Sequence, residues 1–200
     1  MERRPMPNRN QKIHDALGDR CLVFVGMMGS GKTAIGRLVA AAIGIPFYDS
    51  DQEIVTAANM DIPEIFERHG EGYFRAGEER VIQRLLSEGP SVISLGGGAF
   101  LSEATRAAIE DRGMSIWLKA DLDLLMSRVM RRPGTRPLLK TADPRATMAA
   151  LMETREPVYG KADIHVPSSS ISKNHTRDAA LAAIAEQLGI VEPDGDEDGQ

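Results

Sequence analysis

The sequence predicts an α/β fold in which a parallel sheet carries helices on both faces. Short apolar segments alternate along the chain with longer segments whose apolar positions recur at helical spacing. No internal repeat interrupts this alternation, which is typical of parallel strands joined by helical crossovers. With 42% hydrophobic and 26% charged residues, the 200-residue chain can bury its core as one domain.

The individual elements follow from the same pattern. Apolar segments predict strands at residues 21–25, 46–48, 91–95, 115–118 and 164–166. Helical spacing predicts helices at 34–42, 52–88, 102–112, 121–131, 144–156 and 176–187. We expect the long helical stretch to be interrupted near Pro63 and Gly70, and Ser102 to act as an N-cap. Ligands of such sheets bind at the carboxyl ends of the strands, so the residues that follow each strand are the candidates for function.

The two ends of the chain differ from its middle in composition. Residues 1–19 begin with arginines and prolines and are predicted as a flexible tail, while 191–200 form an acidic, disordered tail, leaving 20–190 as the folded domain. The first segment lacks the apolar run of a signal peptide, so we expect a cytoplasmic protein with no membrane partner. A net charge of -5 and 4% aromatic residues argue against a nucleic-acid partner.

A phosphate-binding P-loop, G-x-x-x-x-G-K-[ST], stands between the first strand and the first helix. In this motif backbone N–H groups and the helix N-terminus converge on a polyphosphate, while the lysine reaches the outer phosphates and the hydroxyl coordinates magnesium. The residues expected to contact the triphosphate here are Gly29, Ser30, Gly31, Lys32, Thr33 and Ala34. The motif therefore predicts a nucleoside triphosphate and Mg²⁺ as ligands, with Thr33 on the metal.

Further groups follow the next two strands. Asp49 and Asp51 come after the second strand, where residues two apart point to the same side and both carboxylates can enter the crevice. The competing interpretation of this pair is a capped turn. Bare backbone at Gly96, Gly97 and Gly98 can approach a ligand closely. Arg75 and Arg155 are each, taken alone, more typical of a solvated surface charge. Their occurrence together with the acids and the glycines makes them candidate binding residues.

These residues occur together, in order, in one known family. The matching motifs are Gly26-Met27-Met28-Gly29-Ser30-Gly31-Lys32-Thr33, Asp49-Ser50-Asp51, Phe74-Arg75, Gly96-Gly97-Gly98, Arg136-Pro137-Leu138-Leu139 and Arg155-x-Pro157-x-Tyr159. Over roughly residues 20 to 190 the chain resembles shikimate kinase. The resemblance implies a P-loop fold of nucleoside-monophosphate-kinase type with a five-stranded parallel sheet. It also implies a shikimate-binding insertion at about 50–80 and a lid at about 128–145.

The resemblance also assigns roles on the nucleotide side. The family transfers the γ-phosphate of ATP to the 3-hydroxyl of shikimate, and Lys32 would bind the β- and γ-phosphates as a catalytic residue. One Mg²⁺ per subunit would be held by Thr33 and, through water, by Asp49. Arg136 of the lid would move onto the phosphates, and Arg128 would lie near the adenine. The family further suggests a monomer.

On the acceptor side, the resemblance implies that Asp51 binds the shikimate hydroxyls and orients or deprotonates the attacking one. Arg75 and Arg155 would hold the shikimate carboxylate, which agrees with the bidentate pairing of guanidinium and carboxylate groups. Gly96, Gly97 and Gly98 would border the ring.

Other functions share parts of this pattern. A sugar-acid kinase such as gluconate kinase would have the P-loop and acids after the second strand, but the paired arginines and the triple glycine favour shikimate. A nucleoside monophosphate kinase needs a base pocket, for which the sequence offers no candidate set. A catalytically silent nucleotide-binding relative is disfavoured because Lys32, Thr33, Asp49 and Asp51 are all present.

Overall fold

The computed structural model describes residues 8–131, 139 and 141–190. Its strands are β1 (Cys21–Val25), β2 (Phe47–Asp49), β3 (Val92–Ser94), β4 (Gly113–Lys119) and β5 (Ile164–Pro167). Its helices are α1 (Arg9–Leu17), α2 (Lys32–Ile43), α3 (Ser50–Ala58), α4 (Ile62–Ser87), α5 (Glu103–Arg112), α6 (Leu122–Val129), α7 (Pro144–Tyr159) and α8 (Lys173–Gln187). A short 3₁₀ turn, Ala99–Leu101, follows β3.

The five strands form one sheet in the order β2-β3-β1-β4-β5, and every pairing is parallel. The predicted five-stranded parallel sheet is therefore confirmed. Because all strands point the same way, the turn after β1, the end of β2 and the glycines after β3 share one edge. β3 lies between β1 and β2, which brings those three segments side by side.

The faces of the sheet are buried in two separate cores. Cys21, Val23 and Val25 of β1 point into the core beneath α4, α5 and α7. Leu22 and Phe24 point into the opposite core with α1, α2 and α8. All five are 0–1% exposed, which is why the strand has a continuous apolar sequence rather than an alternating one.

The N-terminal prediction was wrong for the residues that can be judged. Residues 9–17 form helix α1 rather than a flexible tail, with Asn8 capping its first turn through a 2.9 Å bond from the Gln11 N–H. Ile13 and Leu17 are 0% and 1% exposed in the core with α2 and α8. With only two core positions one turn apart, the helix has too weak a periodicity to be recognised in the sequence. Residues 1–7 and 191–200 lie outside the described residues.

Helix α4 holds most of the predicted insertion. The predicted interruption near Pro63 is confirmed, since α3 ends at Ala58 and α4 begins at Ile62, capped by Asp61. Pro63 itself stands in the first turn of α4, where proline is tolerated. The predicted interruption at Gly70 is confirmed, since its φ of 79° and ψ of 174° are not helical. Ser102 caps α5 as expected, accepting from the Thr105 N–H at 3.2 Å. None of the helices described here combines the length and apolar character needed to cross a bilayer.

Candidate active site

The P-loop occupies the turn between β1 and α2 as predicted. Gly31, the residue before the helix, has a φ of 103°, a left-handed conformation that side chains with a Cβ rarely adopt. Lys32 is only 9% exposed, and its Nζ donates to the carbonyl oxygens of Gly26 at 2.8 Å and Met27 at 3.1 Å. The loop therefore folds around the ammonium group, which places a fixed positive charge at its centre.

Oxygen ligands suited to a magnesium ion meet where β2 and β3 end. Thr33 Oγ1 donates to Asp49 Oδ2 at 2.8 Å and lies 3.3 Å from Ser94 Oγ. The described residues contain no cluster of three or more His, Cys, Asp or Glu side chains that could hold a metal ion. A hydroxyl and one carboxylate fit Mg²⁺, which keeps several waters and takes its remaining ligands from phosphates. Ser94 was missed because only the pairing of β1 with β3 brings it to the loop.

Asp51 enters the crevice by a route the sequence did not predict. Helix α3 begins at Ser50, so Asp51 stands in the first helical turn and does not continue the β2 strand. Asp49 Oδ1 accepts a hydrogen bond from the Asp51 N–H at 3.2 Å, so Asp49 does cap the turn. The two interpretations of this pair, a capped turn and a pair of functional acids, are therefore compatible. Ser50 Oγ accepts the Gly96 N–H at 2.9 Å and ties α3 to the loop after β3.

Gly96 is the contact point between that helix and the loop. A Cβ at this position would lie 2.5 Å from Asp51 Oδ1, closer than real Cβ contacts come. It would also lie 3.2 Å from Glu78 Oε1. The absence of a side chain at Gly96 is what lets the Asp51 carboxylate lie against the backbone.

Arg75 projects from α4 onto the same loop. Both of its terminal nitrogens lie 3.0 Å from the position of a Cβ at Gly98. Arg75 Nη1 donates to Glu78 Oε2 at 2.7 Å, and Nη2 donates to Glu71 Oε1 at 3.2 Å. The guanidinium also lies 5.1 Å from the centre of the Phe74 ring. Three contacts thus hold the guanidinium in one orientation.

Glu78 is an acid that sequence reasoning missed. Its side chain is buried, and the residue is 3% exposed. Burial raises the pKa of Glu78, while the hydrogen bond and the charge of Arg75 act to lower it. The signal that could have revealed it is its position three residues after Arg75, on the same helical face.

Arg155 reaches the triple glycine from another element, helix α7. Its Nη1 donates to the Gly97 carbonyl at 3.3 Å, and Tyr159, one turn later, donates its hydroxyl to the same carbonyl. Arg75 and Arg155 therefore flank Gly98 and Gly97, with Asp51 at Gly96. We call Asp51, Arg75, Gly96–Gly98 and Arg155 the acceptor half of the site, and residues 26–33 with Asp49 the nucleotide half.

Arg128 lies behind the P-loop. Its Nη1 donates to the carbonyls of Gly29 at 3.2 Å and Ser30 at 3.0 Å and to Ser168 Oγ at 2.8 Å, while Nη2 donates to Ser169 O at 2.8 Å. Burial, together with the charge of Arg131, lowers the pKa of Arg128. The side chain thus joins the P-loop to the segment after β5. Arg136, predicted to act from the lid, lies outside the described residues.

A P-loop beside an acid and two arginines defines a class. The fold and this arrangement are those of a P-loop kinase of nucleoside-monophosphate-kinase type, built to phosphorylate a small acceptor. The comparisons identify the family within that class. A family model described as shikimate kinase matches residues 28–188.

Individual relatives agree with the family model. A shikimate kinase of Ruegeria pomeroyi is 55% identical over 174 residues, covering 86% of this chain and 89% of the relative. One of Bradyrhizobium diazoefficiens is 58% identical over 159 residues, covering 80% of this chain and 76% of the relative. The structure of an Acinetobacter baumannii shikimate kinase in complex with shikimate superposes with a TM-score of 0.78 at 32% identity, covering 88% of this chain and 97% of the other.

The chain therefore belongs to the shikimate kinase family. It is an ATP-dependent enzyme that transfers the γ-phosphate to the 3-hydroxyl of shikimate, a step of aromatic amino acid biosynthesis. The resemblance, the fold class and the activity predicted from the sequence are all confirmed. A gluconate kinase activity is not favoured, because a gluconokinase of Sinorhizobium meliloti shares only 20% identity and so shows the fold alone.

Proposed function

We propose that the two halves of the site divide the reaction between binding ATP and orienting shikimate. The convergence of Asp51, Arg75 and Arg155 on three consecutive glycines is the observation that carries this assignment. These side chains come from three elements, and they meet directly beside the loop that holds Lys32. A carboxylate with two forked cations matches an acceptor that bears both hydroxyls and a carboxylate.

On the nucleotide half, the N–H groups of residues 29–34 bind the phosphates, and Lys32 neutralises charge on the β- and γ-phosphates. One Mg²⁺ per subunit would neutralise charge on these phosphates. Thr33 and Asp49, whose side-chain oxygens lie 2.8 Å apart, would hold it. Arg128 supports the loop from behind and lies at the base end of the nucleotide, and Arg136 contributes from the lid.

On the acceptor half, Arg75 and Arg155 bind the shikimate carboxylate and Asp51 accepts hydrogen bonds from its hydroxyls. Asp51 orients the 3-hydroxyl and takes its proton as the oxygen attacks the γ-phosphorus. The bond between that phosphorus and the bridging oxygen breaks, and ADP leaves with the bond electrons. Positioning of this kind converts a bimolecular encounter into an effectively unimolecular step.

A coupled assay of ADP release tests the acceptor directly. With ATP and Mg²⁺, release is expected to depend on shikimate, and removal of Mg²⁺ by chelation is expected to abolish it. Release with gluconate or a nucleoside monophosphate, and not with shikimate, would contradict the assignment. Sedimentation and fractionation test the two remaining expectations, a monomer and a cytoplasmic location.

A further inference from the structure

Tyr159 closes the motif Arg155-x-Pro157-x-Tyr159, of which the reaction just described uses only Arg155. It is the last residue of α7 and is 0% exposed. Its hydroxyl donates to the carbonyl oxygen of Gly97, in the middle of the triple glycine. A buried tyrosine needs a hydrogen-bond partner for its hydroxyl. When that partner is a backbone carbonyl in a run of glycines, the bond also fixes the orientation of that peptide.

The Gly97 carbonyl is a shared acceptor. Arg155 Nη1 donates to it at 3.3 Å, from a position four residues before Tyr159 and therefore on the same helical face. The two donors fix where α7 stands relative to the loop. Because the peptide bond is planar and trans, a Gly97 carbonyl turned toward α7 turns the N–H of Gly98 to the opposite side, away from the helix.

The ring of Tyr159 packs near the ring of Trp117. Its centre lies 6.2 Å from that of Trp117 on β4, at an interplanar angle of 37°. Trp117 in turn comes close to the P-loop, since its Cδ1 lies 3.2 Å from the position of a Cβ at Gly26. Burial raises the pKa of Tyr159, so the hydroxyl stays protonated as a donor at neutral pH.

We propose that Tyr159 is a positioning residue for shikimate: its hydroxyl orients the Gly97 peptide and thereby sets Arg155 and the Gly98 N–H for the substrate. The hydroxyl itself touches no reacting atom. This inference rests on the proposed roles of the acceptor half. It predicts that the hydroxyl affects shikimate and leaves ATP binding unchanged.

Tyr159→Phe tests the proposal, because it deletes the hydroxyl and keeps the ring against Trp117. The KM for shikimate is expected to rise roughly five- to tenfold, as for loss of one hydrogen bond in a buried site. The KM for ATP and the far-ultraviolet circular dichroism are expected to stay unchanged. Tyr73→Phe is the matched control, since that ring is 49% exposed and packs on His69, and this variant should keep both KM values.

A second readout uses the single tryptophan of the chain. Trp117 emission is expected to change on shikimate titration in the natural protein, with the midpoint shifted to higher shikimate in Tyr159→Phe. Unchanged shikimate KM in the variant, or equal increases for shikimate and ATP, would overturn the proposal. Shikimate-independent ADP release by the natural protein would instead contradict the proposed function, so the two failures are distinct.

Discussion

The nucleotide half of the site comes mainly from one continuous turn, whereas the acceptor half draws on α3, α4, the loop after β3 and α7. In the nucleotide half, backbone carbonyls of the loop itself hold Lys32. In the acceptor half, side chains hold one another: Glu78 and Glu71 hold Arg75, and Tyr159 shares an acceptor with Arg155. The first arrangement suits a ligand common to many enzymes, and the second can be adapted to one acceptor.

The largest expected loss of activity follows from changing Asp51, which lies where the two halves of the site meet. Asp51→Asn keeps the shape of the side chain but removes the charge that takes the hydroxyl proton. We expect kcat to fall by about 1000-fold, within the usual range for loss of a general base. Shikimate and ATP should both still bind, as measured by calorimetry.

Glu53→Gln is the control for Asp51→Asn. Glu53 lies on the same helix but pairs with Arg84 at 2.7 Å, away from the glycines. Its kcat should remain close to that of the natural protein. A kcat for Asp51→Asn within a few-fold of the natural one would show that Asp51 only binds substrate.

The next largest effect should be a loss of shikimate affinity with no matching loss of ATP affinity. Arg75→Ala removes one of the two cations expected on the shikimate carboxylate, and we expect shikimate affinity to fall by about 100-fold, as for a charge-assisted pair. ATP affinity should change less than twofold.

Arg84→Ala is the matched control for Arg75→Ala. Arg84 lies on the same helix and also pairs with two acids, Glu53 and Glu88. Loss of this exposed arginine should leave shikimate affinity unchanged. Parallel losses for shikimate and ATP in Arg75→Ala would indicate a damaged fold rather than a missing ligand contact.

A smaller effect is expected from the acid behind Arg75. Glu78→Gln removes one of the two carboxylates that bind Arg75 and leaves the other, Glu71. We therefore expect the KM for shikimate to rise roughly tenfold, with kcat little changed. An unchanged KM would show that Glu71 alone orients the guanidinium.

The same variant has a pH signature. Because burial raises the pKa of Glu78 in the folded protein, the folded state retains the proton to a higher pH than the unfolded chain. The free energy of unfolding should therefore fall as pH rises from the ordinary glutamate range through the raised pKa. Denaturant titrations between about pH 4 and pH 8 should show a shallower fall for Glu78→Gln than for the natural protein. A steeper fall in the variant would contradict the raised pKa.

The smallest effect on activity should come from α1, which contributes to neither half. Ile13→Ala empties a fully buried position, so we expect the free energy of unfolding to fall by about 2–4 kcal/mol, measured in urea. Both KM values should be retained in the folded protein. An altered KM would show that α1 reaches the site through α2.

Local patterns were enough to predict much of this molecule. The strand, glycine turn and helix around Lys32 are consecutive in the chain, so their geometry could be inferred from neighbouring residues. The order of motifs also pointed to Arg75 and Arg155. The lid with Arg136, the Mg²⁺ ion and the assignment of single residues to each ligand remain predictions.

Predictions failed where a role depends on distant residues. Asp51 was expected just after β2, pointing to the same side as Asp49 as in a strand, but the chain turns into α3 at Ser50. Ser50 is in turn tied to Gly96, 46 positions further along the chain. Ser94 becomes a neighbour of Thr33 only through strand pairing. Glu78 looks like an ordinary helix acid until α4 packs against the sheet.

By itself, then, the sequence determined the class of fold, the phosphate-binding turn and the family, because each depends on residues close in the chain or on motifs in a set order. Only the tertiary structure decided which polar groups are buried and what they contact. Burial and hydrogen bonding depend on packing between distant segments, and that packing gives Glu78, Arg128 and Tyr159 their partners.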